Sequence, residues 1–369
     1  DFKYPSLWKS NIAADYKFGD GWVATVELLY SKDINAIYHD NIGLYRTEQF
    51  VNDGGAGNAR PYYNGYYSDR EGNQKAANHV VMLRNTSKGH SLYTTFQLQK
   101  NFVDGILKGL YLNGSYSFGQ SRGVTDGTSS VATSAWKYRA ALDGNAEEVG
   151  YTAGSFDGRL LLSASYTANW SKYAATSFGL IYQRYRPFRY SYCYNGDANG
   201  DSQFSNDLMY IPANFDEVKD HLLPGDFDSQ EDAWKAMNAF IEQDPYLSKH
   251  RGEYAERNGA VAPFANQLDL SVSHDIKIYQ KNGRSHTLRF SFNIANFLNL
   301  LNRNWGVVQT TVLGNQQYQF LTIPKGQGPS AANNYTLKYT MAKDLDETFK
   351  DNLNDVSRWQ MQFGIKYIF

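Results

Sequence analysis

The chain has 369 residues, enough for one large domain or two ordinary ones, and a formal net charge of −1 that gives no global basic field for nucleic acid. Mean hydropathy is −0.56 and no run of about eighteen apolar residues occurs, which excludes a transmembrane helix. A membrane β-barrel is not excluded, because its strands carry only alternating hydrophobicity, and 29 Tyr suit positions that are half wet and half apolar.

The N-terminus, Asp1-Phe2-Lys3-Tyr4-Pro5, lacks the basic and apolar regions of a signal peptide. An outer-membrane protein needs one, so the expectation is a mature form or a fragment. Ile12, Ala14, Tyr16 and Phe18 alternate with Asn11, Asp15 and Lys17. After Gly19-Asp20-Gly21, Trp22, Val26, Leu28 and Tyr30 face away from Thr25, Glu27 and Ser31. A period of two predicts strands with one apolar face. A long polar stretch, about 32–89, follows. Its run Tyr62, Tyr63, Tyr66, Tyr67 is a candidate ligand-binding surface, since tyrosine offers wide contact area with a polar tip. Packing on neighbouring loops is the alternative.

Leu92, Phe96 and Leu98 predict the third strand and Leu110, Leu112, Tyr116 and Phe118 the fourth, joined near Asp104-Gly105. A second long stretch spans about 120–157. Leu160, Leu162, Ala164, Tyr166 and Trp170 lead through Ser171-Lys172 to Phe178, Leu180 and Tyr182. The third long stretch, about 187–263, holds the single cysteine, Cys193, expected as a packed or loop thiol without a disulfide. Asn195, Asp197, Asn199 and Asp201, with Gly200, have the oxygen-ligand spacing of a calcium loop, although Asn206 stands where an EF-hand has a bidentate Glu. A water-filled Asx turn is the alternative. Ser229 with Asp232 predicts a capped helix carrying Trp234, Met237 and Ile241 and stopped at Asp244-Pro245.

Leu268, Leu270, Val272, Ile276 and Ile278 predict a seventh strand, and Leu288, Phe290, Phe292 and Ile294 an eighth, across a Gln280–Gly283 turn. A fourth long stretch, about 298–355, precedes the last strand, in which Trp359, Met361, Phe363, Ile365, Tyr367 and Phe369 share one face. Trp22, Tyr30, Trp170, Tyr173 and Tyr367, near strand ends, are candidates for interfacial aromatic girdles.

Short and long connections alternate strictly. That asymmetry is expected of a transmembrane barrel, with periplasmic turns short, extracellular loops long and the C-terminus periplasmic. Nine strands are an odd number, and an open edge is untenable in lipid. Either one of the long stretches hides a further membrane strand or this chain is part of a larger barrel, and the expected fold class is all-β, an antiparallel transmembrane β-barrel.

The segments Arg257-Asn258-Gly259, Pro263 to Leu270, Phe292 to Asn302 with Trp305-Gly306, and Asn206-Asp207-Leu208-Met209-Tyr210-Ile211-Pro212 resemble Oar-like TonB-dependent transporters of Bacteroidota. Phe369 is similar to the terminal aromatic by which barrels are recognised for outer-membrane insertion. The resemblance is specific over residues 195–369 and only barrel-like before that. It implies the last nine strands of a barrel of about 22 strands, with the plug domain and the remaining barrel outside this chain. It also implies coupling to TonB through that missing region, passage of a large solute, outer-membrane lipid as surroundings and a surface lipoprotein as a candidate partner. No cofactor is required by that work. No residue that couples to TonB in the family has a counterpart here.

No His-Glu-x-x-His pattern, nucleophile elbow or phosphate loop occurs, so no enzyme is expected. His274 falls on the apolar phase, which suits interface or packing. The rival readings are a structural or adhesive barrel, a barrel hydrolase with acid and histidine at its rim, and a soluble β-sandwich.

Overall fold

The computed structural model describes residues 2–55, 59–67, 79–127, 129–279, 285–314 and 317–369. Nine long strands are hydrogen-bonded antiparallel in chain order. They are β1 (Leu7–Phe18), β2 (Trp22–Asp33), β3 (His90–Asn101), β4 (Leu110–Gly123), β5 (Arg159–Ser171), β6 (Ala174–Tyr185), β7 (Ala265–Tyr279), β8 (Ser285–Ala295) and β9 (Gln360–Ile368). They stand where the alternation placed them, and β2 and β4 run slightly further into the long stretches than expected. At the end of β4, Arg122 still pairs with His90 on one side and Tyr151 on the other. The Gln280–Gly283 turn lies outside the described residues.

Turn chemistry explains the tight reversals. Gly21 sits at φ +81° and donates its N–H to the Gly19 carbonyl at 3.0 Å, a conformation that a β-carbon disfavours. Because neighbours in the sheet are neighbours in the chain, the connections after β2, β4, β6 and β8 all lie at one end. Those are the long ones.

Register makes the two faces uniform. Ile12 pairs with Leu28, Val26 with Phe96, Phe96 with Tyr116, and Leu162 with Tyr182. The row continues through Leu180 with Leu270, Val272 with Phe292 and Phe292 with Phe363. One face is thus apolar from edge to edge, and its side chains stay exposed, Tyr16 at 70% and Phe363 at 65%. His274 lies on this face opposite Phe290, its Nδ1 2.8 Å from the Thr176 hydroxyl.

The other face is a polar ladder. Thr25 donates to Asp15 at 2.5 Å, Gln97 to Asn113 at 2.7 Å and Gln183 to Gln267 at 2.9 Å. Arg289 grips Asp275 with two bonds of 2.6 and 2.7 Å. Among the described residues, the outer edges of β1 and β9 have no strand partner.

The hydrophobic core lies elsewhere. Every member of the buried cluster built on Tyr190, Tyr192, Tyr194, Met237, Phe240, Tyr318 and Phe320 belongs to the long connections. Read from sequence as polar loops, these segments instead fold into a cap with its own small sheets. Arg189–Asn195 runs parallel to Gln317–Thr322, which pairs with Thr340–Met341. The cap strand does alternate, Tyr190, Tyr192 and Tyr194 against Arg189, Ser191 and Cys193, but it is buried on both faces, so its polar phase faces protein and not solvent.

The helix Gln230–Gln243 joins this core through Ala233, Met237, Phe240 and Ile241. Ser229 caps it by accepting the Asp232 N–H, and Asp244 ends it. Ser229→Ala should cost the helix about 1 kcal/mol. Hydrogen exchange of the amides over 232–241 should then quicken roughly fivefold, with the β-strand amides unchanged.

Candidate functional site

The cap is tied together by one fully buried cation. Arg60 donates from Nε to Asp53 and from Nη1 to Asp207, each at 3.1 Å, and also to the Leu208 carbonyl. The rings of Tyr194 and Tyr254 lie 5.7 Å from its guanidinium. Burial alone would lower the Arg60 pKa, but Asp207 and Asp53 outweigh it and the group is held charged. Asp244 is a second hub. Its carboxylate accepts the Tyr192 hydroxyl at 2.6 Å, the Thr348 hydroxyl at 2.7 Å and the N–H groups of Tyr246 and Leu247. Neither hub is visible in the sequence, where Asp207 is 147 positions from Arg60.

The tyrosine run is only partly available for contact. Tyr62, Tyr63 and Tyr66 are buried, and Tyr67 alone keeps half its ring exposed. Tyr63 donates to Asp143 at 2.7 Å, and Tyr62 lies against Tyr335 at 4.9 Å. Tyr67 meets the edge of Tyr45 at 5.2 Å. The packing alternative thus accounts for three of the four rings.

The Asx-rich loop divides. Asn195 is exposed and its amide donates to Thr322 at 3.2 Å, away from the other three residues. Asp197 takes N–H groups from Asn199, Gly200 and Ser202 at 3.2, 2.6 and 2.8 Å. Asn199 accepts from Asp201, and Asp201 from Gln203, both between backbone N–H and side-chain oxygen. Among the described residues, no three His, Cys, Asp or Glu side chains converge so as to hold a metal ion. Asp197, Asn199 and Asp201 are the oxygens that would face calcium. Burial, then Asp207 and Asp197, push the Asp201 carboxyl well above the usual carboxylate range.

Beside the first turn of Arg189–Asn195 opens a cavity of about 620 Å³. Phe188 and Tyr138 give it apolar walls, and Asn258, Gln309, Gln317 and Asn352 give it amides. Two arginines and the carboxylate of Asp126 line it too, and among the described residues the Arg257 Nε has no hydrogen-bond partner. Arg189 serves the Ser155 and Asn258 carbonyls at 2.8 and 3.1 Å, and Arg257 the Val124 carbonyl at 2.6 Å. Such a lining suits a polar ligand held by hydrogen bonds and ring contact.

Removing the central cation should be costly. Arg60→Met leaves Asp53 and Asp207 buried without a partner and should destabilise the cap by about 3–5 kcal/mol. Limited proteolysis would then cleave residues 187–263 while β1 to β9 stay protected. Asp201 gives a pH signature. Its folded-state pKa is raised, so the stability it contributes is complete below about pH 4 and is lost as pH rises. Asp201→Asn should flatten that decline in the cap's melting temperature. Calcium occupancy demands the reverse, with both Asp201→Asn and a chelator lowering the melting temperature at neutral pH.

No family model matches this chain, and neither a curated protein nor a solved structure matches it.

Proposed function

We propose that this chain is part of an outer-membrane β-barrel transporter of the TonB-dependent, Oar-like type, carrying a large solute across the bacterial outer membrane. The observation that supports the reading is the apolar face. It crosses all nine strands, and outside the end of β8, where Ile294 is buried, most of its large side chains are exposed or half-buried.

In water such a face would be untenable. Each large apolar side chain left exposed forfeits about 1.5–3 kcal/mol, and the row from Ile12 to Phe363 outweighs the roughly 5–15 kcal/mol by which a domain is stable. Lipid removes that penalty. The opposite, polar face would then line a lumen, and the cap would stand outside the cell over it. Aromatic side chains at the short-turn end fit an interfacial girdle. Phe18 stacks on Trp22 at 6.3 Å, Tyr367 on Phe369 at 5.8 Å, and the Lys100 ammonium lies 5.1 Å from Trp22.

The unpartnered edges of β1 and β9 call for further strands, which the resemblance assigns to a larger barrel with a plug. In that reading the plug's coupling to TonB supplies energy, and the cap with its 620 Å³ cavity receives solute. The chemistry is binding and gated passage, in the direction of uptake or export. The rim of the cap would be the place for a surface lipoprotein.

Cysteine labelling of the full-length protein on intact cells tests the membrane placement. The native Cys193 is buried and stays silent. Phe204→Cys, exposed on the cap, should react with a membrane-impermeant maleimide. Ile12→Cys and Phe363→Cys should resist it and react with a lipid-soluble reagent. Reaction of Phe363→Cys with the impermeant reagent would sink the barrel reading. For transport, strains lacking this gene or TonB should leave the same solutes in spent medium. An unchanged medium in the gene deletion, with the labelling as expected, would favour an adhesive barrel.

A further inference from the structure

We propose that the apolar face carries a binding site for a phosphorylated lipid headgroup at its long-connection end, where β3, β4 and β6 meet the cap. The proposal rests on the membrane reading above and adds a specific lipid contact to it.

Along β6 the apolar phase runs through Phe178, Leu180 and Tyr182 and then changes character. Arg184 occupies the next position of that phase, and Arg186 the one after it. Both guanidinium groups lie against Phe264, 4.4 and 4.1 Å from its ring centre. Arg186 also donates to the Ala262 carbonyl at 2.7 Å and pairs with Asp157 at 3.1 Å. Arg184 is exposed, and among the described residues its only recorded partner is the Phe264 ring.

Next to this pair, where Asp157 meets Arg186, is a hollow of about 330 Å³ on the same face, floored by Leu92 and Phe118 and rimmed by Thr94, Gln120, Tyr151, Asp157 and Arg189. Leu92 and Phe118 are 43% and 38% exposed, so the hollow is continuous with the apolar face. Asp157 is its one acidic side chain, and that charge is already engaged by Arg186. Arg184 is therefore left without a counter-charge. Further along the rim, on the same phase, Lys32 spends its ammonium on the Ser87 and Gly89 carbonyls, which leaves that charge uncompensated too.

An apolar hollow beneath unpaired cations matches one partner chemistry. The root of an acyl chain fills the hollow while the phosphate above it accepts from guanidinium. Arginine suits the task because its planar fork meets phosphate oxygens with two donors, and its stem can lie along an apolar surface with the charged head in the polar layer. A free phosphate would gain the charge contact but not the hollow. The position is also the right one in depth, at the last apolar row before the cap.

The test uses full-length protein purified in detergent and stripped of lipid, titrated with lipid A and with its dephosphorylated form, with bound lipid read by native mass spectrometry. Saturable binding of lipid A is expected, and binding roughly fivefold weaker for Arg184→Gln, since one cation near a phosphate is worth about 1 kcal/mol. Arg186→Gln should add to the loss. Equal affinity for the dephosphorylated lipid, or no change in Arg184→Gln, would overturn the site. Inorganic phosphate competing as well as lipid A would overturn its assignment to a lipid. The Phe363→Cys labelling is independent of Arg184, so failure of the membrane reading and failure of this site are separable.

Discussion

Everything in this molecule follows from a strand's inability to hide both of its faces at once. Successive side chains point to opposite sides of a sheet, and register carries that choice from strand to strand. Here nine strands keep it, with one irregularity between Asn169 and Ser171 at the turn end of β5. Ile12, Leu28, Phe96, Tyr116, Leu162, Tyr182, Val272, Phe292 and Phe363 all fall on one side. Asp15, Thr25, Gln97, Asn113 and Asp275 fall on the other. A sheet in a soluble sandwich would bury its apolar face against a second sheet. This one has no such layer among the described residues, and the protein's packed core lies entirely in its connections. The membrane placement proposed above would resolve that conflict.

The cap is held by a different physics. Its strands are short and its aromatic rings are dense, with Tyr192 at 5.3 Å from Tyr318 and Phe240 at 4.8 Å from Phe320. Burying so much tyrosine requires partners for the hydroxyls, and Asp244 and Asp143 serve as two of them. Arg60 does the same at a larger scale by joining two carboxylates from separate loops. Where the cap meets the nine-stranded sheet, Asn296 takes a left-handed turn, its N–H on Asp269 at 2.8 Å and its amide on the Gly306 and Ser357 carbonyls. Both ends of the last long connection are thereby fixed to the top of β7 and β8.

How much of this could be read from sequence follows from how local each signal is. The sheet was legible because alternation and turn residues act within a few positions, and the Ser229 cap was legible for the same reason. The cap was not. Arg189–Asn195 alternates like the other strands but is buried on both sides, and the partners that bury it come from positions 317 to 341. The tyrosines near position 62 looked like a contact surface because exposure depends on distant chain, here Tyr335 and Asp143. Asn195 looked like a ligand of the Asx loop because spacing is local, yet the cap strand turns its side chain toward Thr322. The cavity and the rim hollow have no local signature at all.

Pairing only between sequence neighbours has a consequence for assembly order. The pairs joined by short turns, such as β1 with β2 and β5 with β6, can form from nearly contiguous chain, whereas β2 meets β3, β6 meets β7 and β8 meets β9 only across the long connections. The bonds that close the cap are of another kind. Tyr254 reaches Asp53 across 201 positions and Arg60 reaches Leu208 across 148. Those contacts cannot be made until the strands between them have brought the loops together. A strand missing from the sheet would therefore leave the loops on either side of it unplaced, and the cap with them.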